Sequence, residues 1–124
     1  KAEVSPKILR LFNEDKIYLN SKLTIRDVAQ IVGTNRTYVS NFINTHFNQN
    51  FCSFVNRYRL EELERTIRKH PEYTGNTLAE LCGFGSTDSL KRAVRTSFGM
   101  SYSEWRKSLS VQADKHQDNL NAKA

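Results

Sequence analysis

Few residues that break or cross-link a chain occur in this sequence: two prolines, five glycines and two cysteines among 124 residues. Cys52 and Cys82 lie 30 positions apart, and neither has a second Cys or a His at metal-ligand spacing, so zinc fingers and ribbons are excluded. With no secretory leader in view, a disulfide is not expected, and both cysteines read as buried, reduced thiols. No apolar run approaches the length that crosses a bilayer. The expectation is a cytoplasmic protein without membrane contact. The chain opens on Lys1 rather than Met, as a piece of a longer protein would. Catalytic signatures are missing as well: there is no Gly-Xaa-Ser-Xaa-Gly, no phosphate-binding glycine loop and no His-Glu-Xaa-Xaa-His. His46, His70 and His116 are scattered without an obvious partner and read as exposed or capping residues. No enzyme activity, metal site or cofactor is expected.

The most informative lack is of acids. Between Val28 and Leu60 there is no Asp or Glu, while Arg36, Arg57, Arg59 and six asparagines are present. Ser89 to Ser103 is a second acid-free stretch, holding Lys91, Arg92 and Arg95. A solvated charged face usually mixes signs. Two acid-free stretches rich in amide and basic side chains point instead to surfaces for phosphates and bases, in line with a net charge of +6.

What remains is helical. Apolar residues make up 38% and charged residues 26%, the balance of a globular chain. No alternating strand pattern competes with the helical stripes. Ser5-Pro6 predicts an N-cap followed by proline at the first helical position. Residues 16–22 form a connection. Thr24 predicts the cap of a short helix, with Asp27 three residues on. That helix stops at Gly33, and a second runs from about Asn35 to Phe47. A long helix follows over about 51–69, ended by Pro71. Thr74 opens another short helix, Ser86 the next one to about Phe98, and Ser101 or Ser103 a closing helix over about 102–109. A polar tail covers 110–124. The expected fold class is all-α, about seven helices in a single domain over 1–124.

The chain also repeats itself. A short helix, a glycine and a second helix occur at about 24–47 and again at about 74–98. Ala29 and Gly33 match Ala79 and Gly83 at an offset of 50. The small residue lets two helices pack closely, and the glycine supplies the positive φ of the tight turn; this is the pattern of a helix-turn-helix. After the glycine the offset is 51: Val39, Phe42 and Ile43 match Leu90, Ala93 and Val94 as docking residues. On the opposite face Thr37, Ser40, Asn41 and Asn44 form one polar stripe, and Asp88, Lys91, Arg92 and Arg95 form its counterpart. A helix with one docked face and one short, hydrogen-bonding face is what a DNA major groove admits. The linker of 19 residues, about 28 Å as a straight helix, fits two such helices near successive grooves roughly 34 Å apart.

Several segments resemble the AraC/XylS family of bacterial transcription regulators. Leu23-Thr24-Ile25-Arg26-Asp27-Val28-Ala29, followed by Gly33-Thr34-Asn35-Arg36-Thr37-Tyr38-Val39-Ser40, is similar to its first helix-turn-helix. Asn56-Arg57-Tyr58-Arg59-Leu60 is similar to the start of its linker helix. Leu78-Ala79-Glu80-Leu81-Cys82-Gly83-Phe84-Gly85-Ser86 resembles its second unit, and Phe98 to Arg106 its closing segment. The resemblance covers about residues 6–107. The chain departs from the family at Tyr102 (usually proline), at Leu90 and Val94 (usually phenylalanines), at Gly75 (usually apolar) and at Leu63 (usually small). The resemblance implies base reading by Arg36, Thr37, Ser40 and Asn41 in the first unit, and by Thr87, Asp88, Lys91 and Arg92 in the second. Asn35, Tyr38, Asn44, Ser86, Ser89 and Arg95 are expected at phosphates or in positioning roles. Asp88 can equally serve by favouring its helix N-terminus. Arg57 and Arg59 are expected to pair with Glu61, Glu62 or Glu64. Double-stranded DNA is the implied partner, with RNA polymerase a further partner of an activator and any dimerisation placed in a domain outside this chain. Two other readings of the helical pattern stand beside this one: a helical protein-interaction module, and sequence-blind nucleic-acid binding.

Overall fold

The computed structural model describes residues 3–110; His116 and the polar tail from residue 111 lie outside the described residues. Among the described residues the chain is all-α. The elements are α1 (Val4–Asn13), a single 3-10 turn at Ile17–Leu19, α2 (Ile25–Val32), α3 (Arg36–Phe47), α4 (Phe51–Lys69), α5 (Gly75–Leu81), α6 (Thr87–Phe98) and α7 (102–110). No helix among the described residues is long and apolar enough to cross a membrane.

Local chemistry sets most boundaries. Thr24 and Asp27 make a full capping box at α2: the Asp27 amide donates to the Thr24 hydroxyl at 3.2 Å and the Thr24 amide to the Asp27 carboxylate at 2.9 Å. Asn35, Asn50, Thr74 and Ser86 cap α3, α4, α5 and α6 through their side chains. Ser101 caps α7, accepting from the Glu104 amide at 3.2 Å and donating to its carboxylate at 2.9 Å. The start of α1 differs from the sequence expectation. The helix begins at Val4, Glu3 stands at the cap without a side-chain bond, and Pro6 is the third helical residue. Pro6 is tolerated there because amides of the first turn have no intrahelical acceptor. Ser5, released from capping, places its hydroxyl 3.1 Å from the Tyr38 hydroxyl.

Two apolar cores form, and α4 runs through both. Phe54 and Val55 of α4 close the first core with Ile8, Phe12, Tyr18, Val28, Val39 and Ile43. Leu60, Leu63 and Ile67 close the second with Leu78, Ala79, Leu90, Val94 and Trp105. Each fully buried large side chain stabilises by about 1.5–3 kcal/mol. The departures from the family pattern are accommodated here: Leu63, Leu90 and Val94 are fully buried. Tyr102 packs against the second core and, with Thr87, covers the space above Gly75.

The two halves meet along a tight joint. Gly83 follows α5 at φ +90°, and a Cβ there would overlap the Tyr18 carbonyl oxygen and lie 2.9 Å from the Leu19 Cα. Arg59 on α4 donates to the Tyr18 carbonyl at 2.8 Å and to the Asn20 carbonyl at 3.0 Å. It therefore fastens the 16–22 connection and does not pair with a glutamate, contrary to the expectation. Its position explains why: the half-buried guanidinium faces the Tyr18 and Asn20 carbonyls, the second of which also accepts from the Leu23 amide at 3.2 Å. Cys52 is likewise not buried as expected; it is exposed on α4, and only Cys82 is buried.

Candidate nucleic-acid interface

Each half of the molecule presents the same arrangement. In α3, Val39, Phe42 and Ile43 are buried, and Arg36, Thr37, Asn41 and Asn44 are exposed, with Ser40 partly exposed. In α6, Leu90, Ala93 and Val94 are buried, and Asp88, Lys91, Arg92 and Arg95 are exposed, with Thr87 and Ser89 partly exposed. Docking one face of each helix leaves the polar stripe of the other face open to solvent. Gly33 and Gly83 both adopt positive φ, 78° and 90°, so the turn between the paired helices has the same backbone requirement in both units.

The candidate positioning residues divide into two groups. Asn35 accepts from the Tyr38 amide at 2.9 Å, and Ser86 accepts from the Ser89 amide at 3.2 Å and donates to the Ser89 hydroxyl at 3.1 Å. These three hold the starts of α3 and α6. Tyr38 is half-buried against the first core with its hydroxyl beside Ser5, so its ring anchors α3 to α1. Asn44 and Arg95 are exposed, one helical turn beyond Asn41 and Lys91 respectively. Asp88 lies in the first turn of α6, where the helix dipole favours an anion.

Charge pairing separates the two stripes from the linker helix α4. Arg57 pairs with Glu61 at 3.8 Å and also lies over the rings of Phe47, Phe54 and Tyr58. Arg65 pairs with Glu62 at 2.6 Å, Arg68 with Glu64 at 3.3 Å and Lys16 with Glu62 at 3.4 Å. Among the described residues, no ion pair includes Arg36, Lys91, Arg92 or Arg95. With Asp88 the one acid among Asp88, Lys91, Arg92 and Arg95, that stripe stays net positive, as an anion-binding surface requires.

Sequence reasoning missed one residue at this surface. Ile25, the first residue of α2, lines an open concavity of about 260 Å³ together with Arg36, Thr37, Ser40 and Asn41. The spacing contained the signal: Ile25 stands one helical turn before Ala29, on the side of α2 that crosses α3.

A family model described as a helix-turn-helix domain matches residues 28–108. The chain belongs to the AraC-type helix-turn-helix family. Solved structures agree with that membership at the level of the fold. The C-terminal domain of AraT, a response regulator from Geobacillus stearothermophilus, superposes with a TM-score of 0.74 at 19% identity, over 85% of this chain and 84% of that one. The C-terminal domain of the two-component response regulator yesN from Fusobacterium nucleatum gives 0.72 at 15% identity, over 84% and 98%. A DNA-binding transcriptional dual regulator from Escherichia coli K-12 gives 0.66 at 13% identity, over 86% and 92%. A comparison with curated proteins finds no match. As an AraC-type helix-turn-helix domain, the chain is a DNA-binding module of transcription regulation, and DNA is its partner class.

Proposed function

We propose that the domain reads duplex DNA sequence-specifically by placing α3 and α6 in adjacent major grooves. The observation that carries this reading is the repeated surface: two helices, each docked by three apolar residues and each facing solvent with a polar stripe whose cations are in no ion pair among the described residues. Arg36, Thr37, Ser40 and Asn41 are the base readers of the first unit, and Thr87, Asp88, Lys91 and Arg92 those of the second. Arginine or lysine grips guanine O6 and N7, asparagine pairs with adenine, Thr37 offers a methyl to thymine, and Asp88 can accept from cytosine N4. Asn44 and Arg95 contact phosphates, while Asn35, Ser86, Ser89 and Tyr38 set the helices that present the readers. The domain acts in the bacterial cytoplasm as the DNA-reading part of a regulator, an activator that helps RNA polymerase engage a nearby promoter. Sensing and any dimerisation belong to another domain, and the module itself uses no cofactor and performs no catalysis.

Selection of bound duplexes from a random library at about physiological salt tests this directly. The expected result is two short motifs centred about 10 base pairs apart, with binding that weakens steeply as salt rises. A single motif would remove base reading from one unit. Salt-sensitive binding with no enriched sequence would leave sequence-blind binding, and no binding at all would favour a protein-interaction module.

A further inference from the structure

Ile25 is the one wholly apolar side chain in the concavity beside the first reading stripe; Arg36, Thr37, Ser40 and Asn41 supply the rest of the lining. It is half-buried, seated on the first core by one side and open to the concavity by the other. The matching position of the second unit, at an offset of 50, is Gly75. The space a side chain would take there is already bounded by its own unit: a Cβ on Gly75 would lie 3.7 Å from the Thr87 methyl and 3.8 Å from the Tyr102 ring. The repeat is therefore broken at a point beside the proposed base readers. One unit shows an apolar wall, and the other shows none from this position.

In the major groove the only apolar group on a base edge is the thymine C5-methyl. We propose that Ile25, together with the Thr37 methyl, forms a thymine-methyl contact that belongs to the first unit alone. The inference rests on the DNA-reading function above and adds a specificity determinant to it. Asn41 and Arg36 read hydrogen-bonding groups, and Ile25 reads the methyl that hydrogen bonds cannot sense. Burying one methyl-sized group changes affinity on the order of four-fold.

The test replaces each thymine of a selected duplex, one at a time, with deoxyuridine, which keeps every hydrogen-bonding group and lacks only the methyl. The first unit's half-site is the one whose preference relaxes in Asn41→Ala. The expected result is a loss of about four-fold at a thymine of that half-site, reduced in Ile25→Ala, where only the Thr37 methyl remains, and retained in Ile25→Val. Each variant is compared with itself on two duplexes, so a loss of folded protein cancels. Should Ile25→Ala not fold, Ile25→Thr, which keeps the β-branched shape of valine but puts a hydroxyl in place of one γ-methyl, is expected to reduce the discrimination. A first half-site without thymine, uracil bound as well as thymine throughout it, or discrimination undiminished in both the Ala and Thr variants would overturn the proposal. In those cases enriched duplexes would still support DNA reading; a library with no enrichment would remove both.

Discussion

The Arg59 guanidinium and the Tyr18 carbonyl oxygen, 41 residues apart in sequence, are joined by a hydrogen bond of 2.8 Å. With its second bond, to the Asn20 carbonyl at 3.0 Å, Arg59 ties the linker helix to the connection between α1 and α2. Removing it takes the side-chain donor from both carbonyls, although the Asn20 carbonyl keeps the Leu23 amide at 3.2 Å. Arg59→Ala is expected to lower stability by roughly 2 kcal/mol, the scale of hydrogen bonds from a charged donor. Arg59→Lys should recover only part of that, because an ammonium is a point charge and does not reproduce the two-armed geometry. Denaturant midpoints of the three proteins check the order.

The two turn glycines are expected to respond differently to alanine. At Gly33 nothing lies within 4 Å of an added Cβ, so Gly33→Ala carries only the left-handed backbone penalty of about 1–2 kcal/mol. At Gly83 the same penalty is joined by overlap with the backbone at Tyr18 and Leu19. Gly83→Ala should therefore cost at least about twice as much, and thermal melting of the pair would show whether it does.

Alkaline pH should destabilise the first core. Tyr18 is 1% exposed. Burial first, and the negative charge of Glu62 second, push its phenol up to about 12, with Arg65 acting against them. A raised pKa means that the folded state favours the proton. The resulting stability is complete below the unfolded value near 10 and is lost as pH rises towards 12. Tyr58 shifts in the same direction, chiefly through burial. Stability measured from pH 9 to 12 should fall, and Tyr18→Phe should flatten part of the fall.

The cysteines should separate in reactivity. Cys82 is buried, its thiol donates to the Thr66 hydroxyl at 3.7 Å, and burial pushes its pKa up. Cys52 is exposed. A thiol-alkylating reagent is expected to label Cys52 in the native protein, and Cys82 only on unfolding; mass spectrometry of the labelled peptides distinguishes the two.

For the proposed readers, Asn41→Ala and Arg92→Ala should each cost roughly 1–3 kcal/mol of DNA affinity and relax preference at one base pair. Arg95→Ala should weaken all sequences alike and reduce the salt slope by about one. Identical behaviour of the three variants on every duplex would remove the distinction between readers and positioning residues.

The fold was largely legible because its instructions are local. Thr24 with Asp27, Ser86, Ala29 and Gly33, and the apolar spacing of Val39, Phe42 and Ile43, all act within a few residues of one another. The stripes on α3 and α6 follow from the same spacing. What escaped notice acts at long range. Arg59 looked like a partner for neighbouring glutamates, yet its acceptors are carbonyls about 40 residues away, and no periodicity encodes them. Cys52 lies in an otherwise apolar-rich opening of α4 but faces outward. Ser5-Pro6 carries an N-cap signal, and the helix begins before it because a first turn accepts proline without loss. Gly33 and Gly83 look alike in sequence, and only the close approach of Tyr18 tells them apart.

A single helix threading both cores, with Gly83 wedged against the opposite half, makes the domain a fixed gauge. For a DNA target this has an evolutionary consequence. Under the proposed reading, individual letters of either half of a DNA site can drift and be compensated by changes in one reading helix. The interval between the halves has no such freedom, since one added base pair rotates the far half by roughly 35° about the duplex axis. Families of sites recognised by such a domain should thus vary in spelling while keeping their meter.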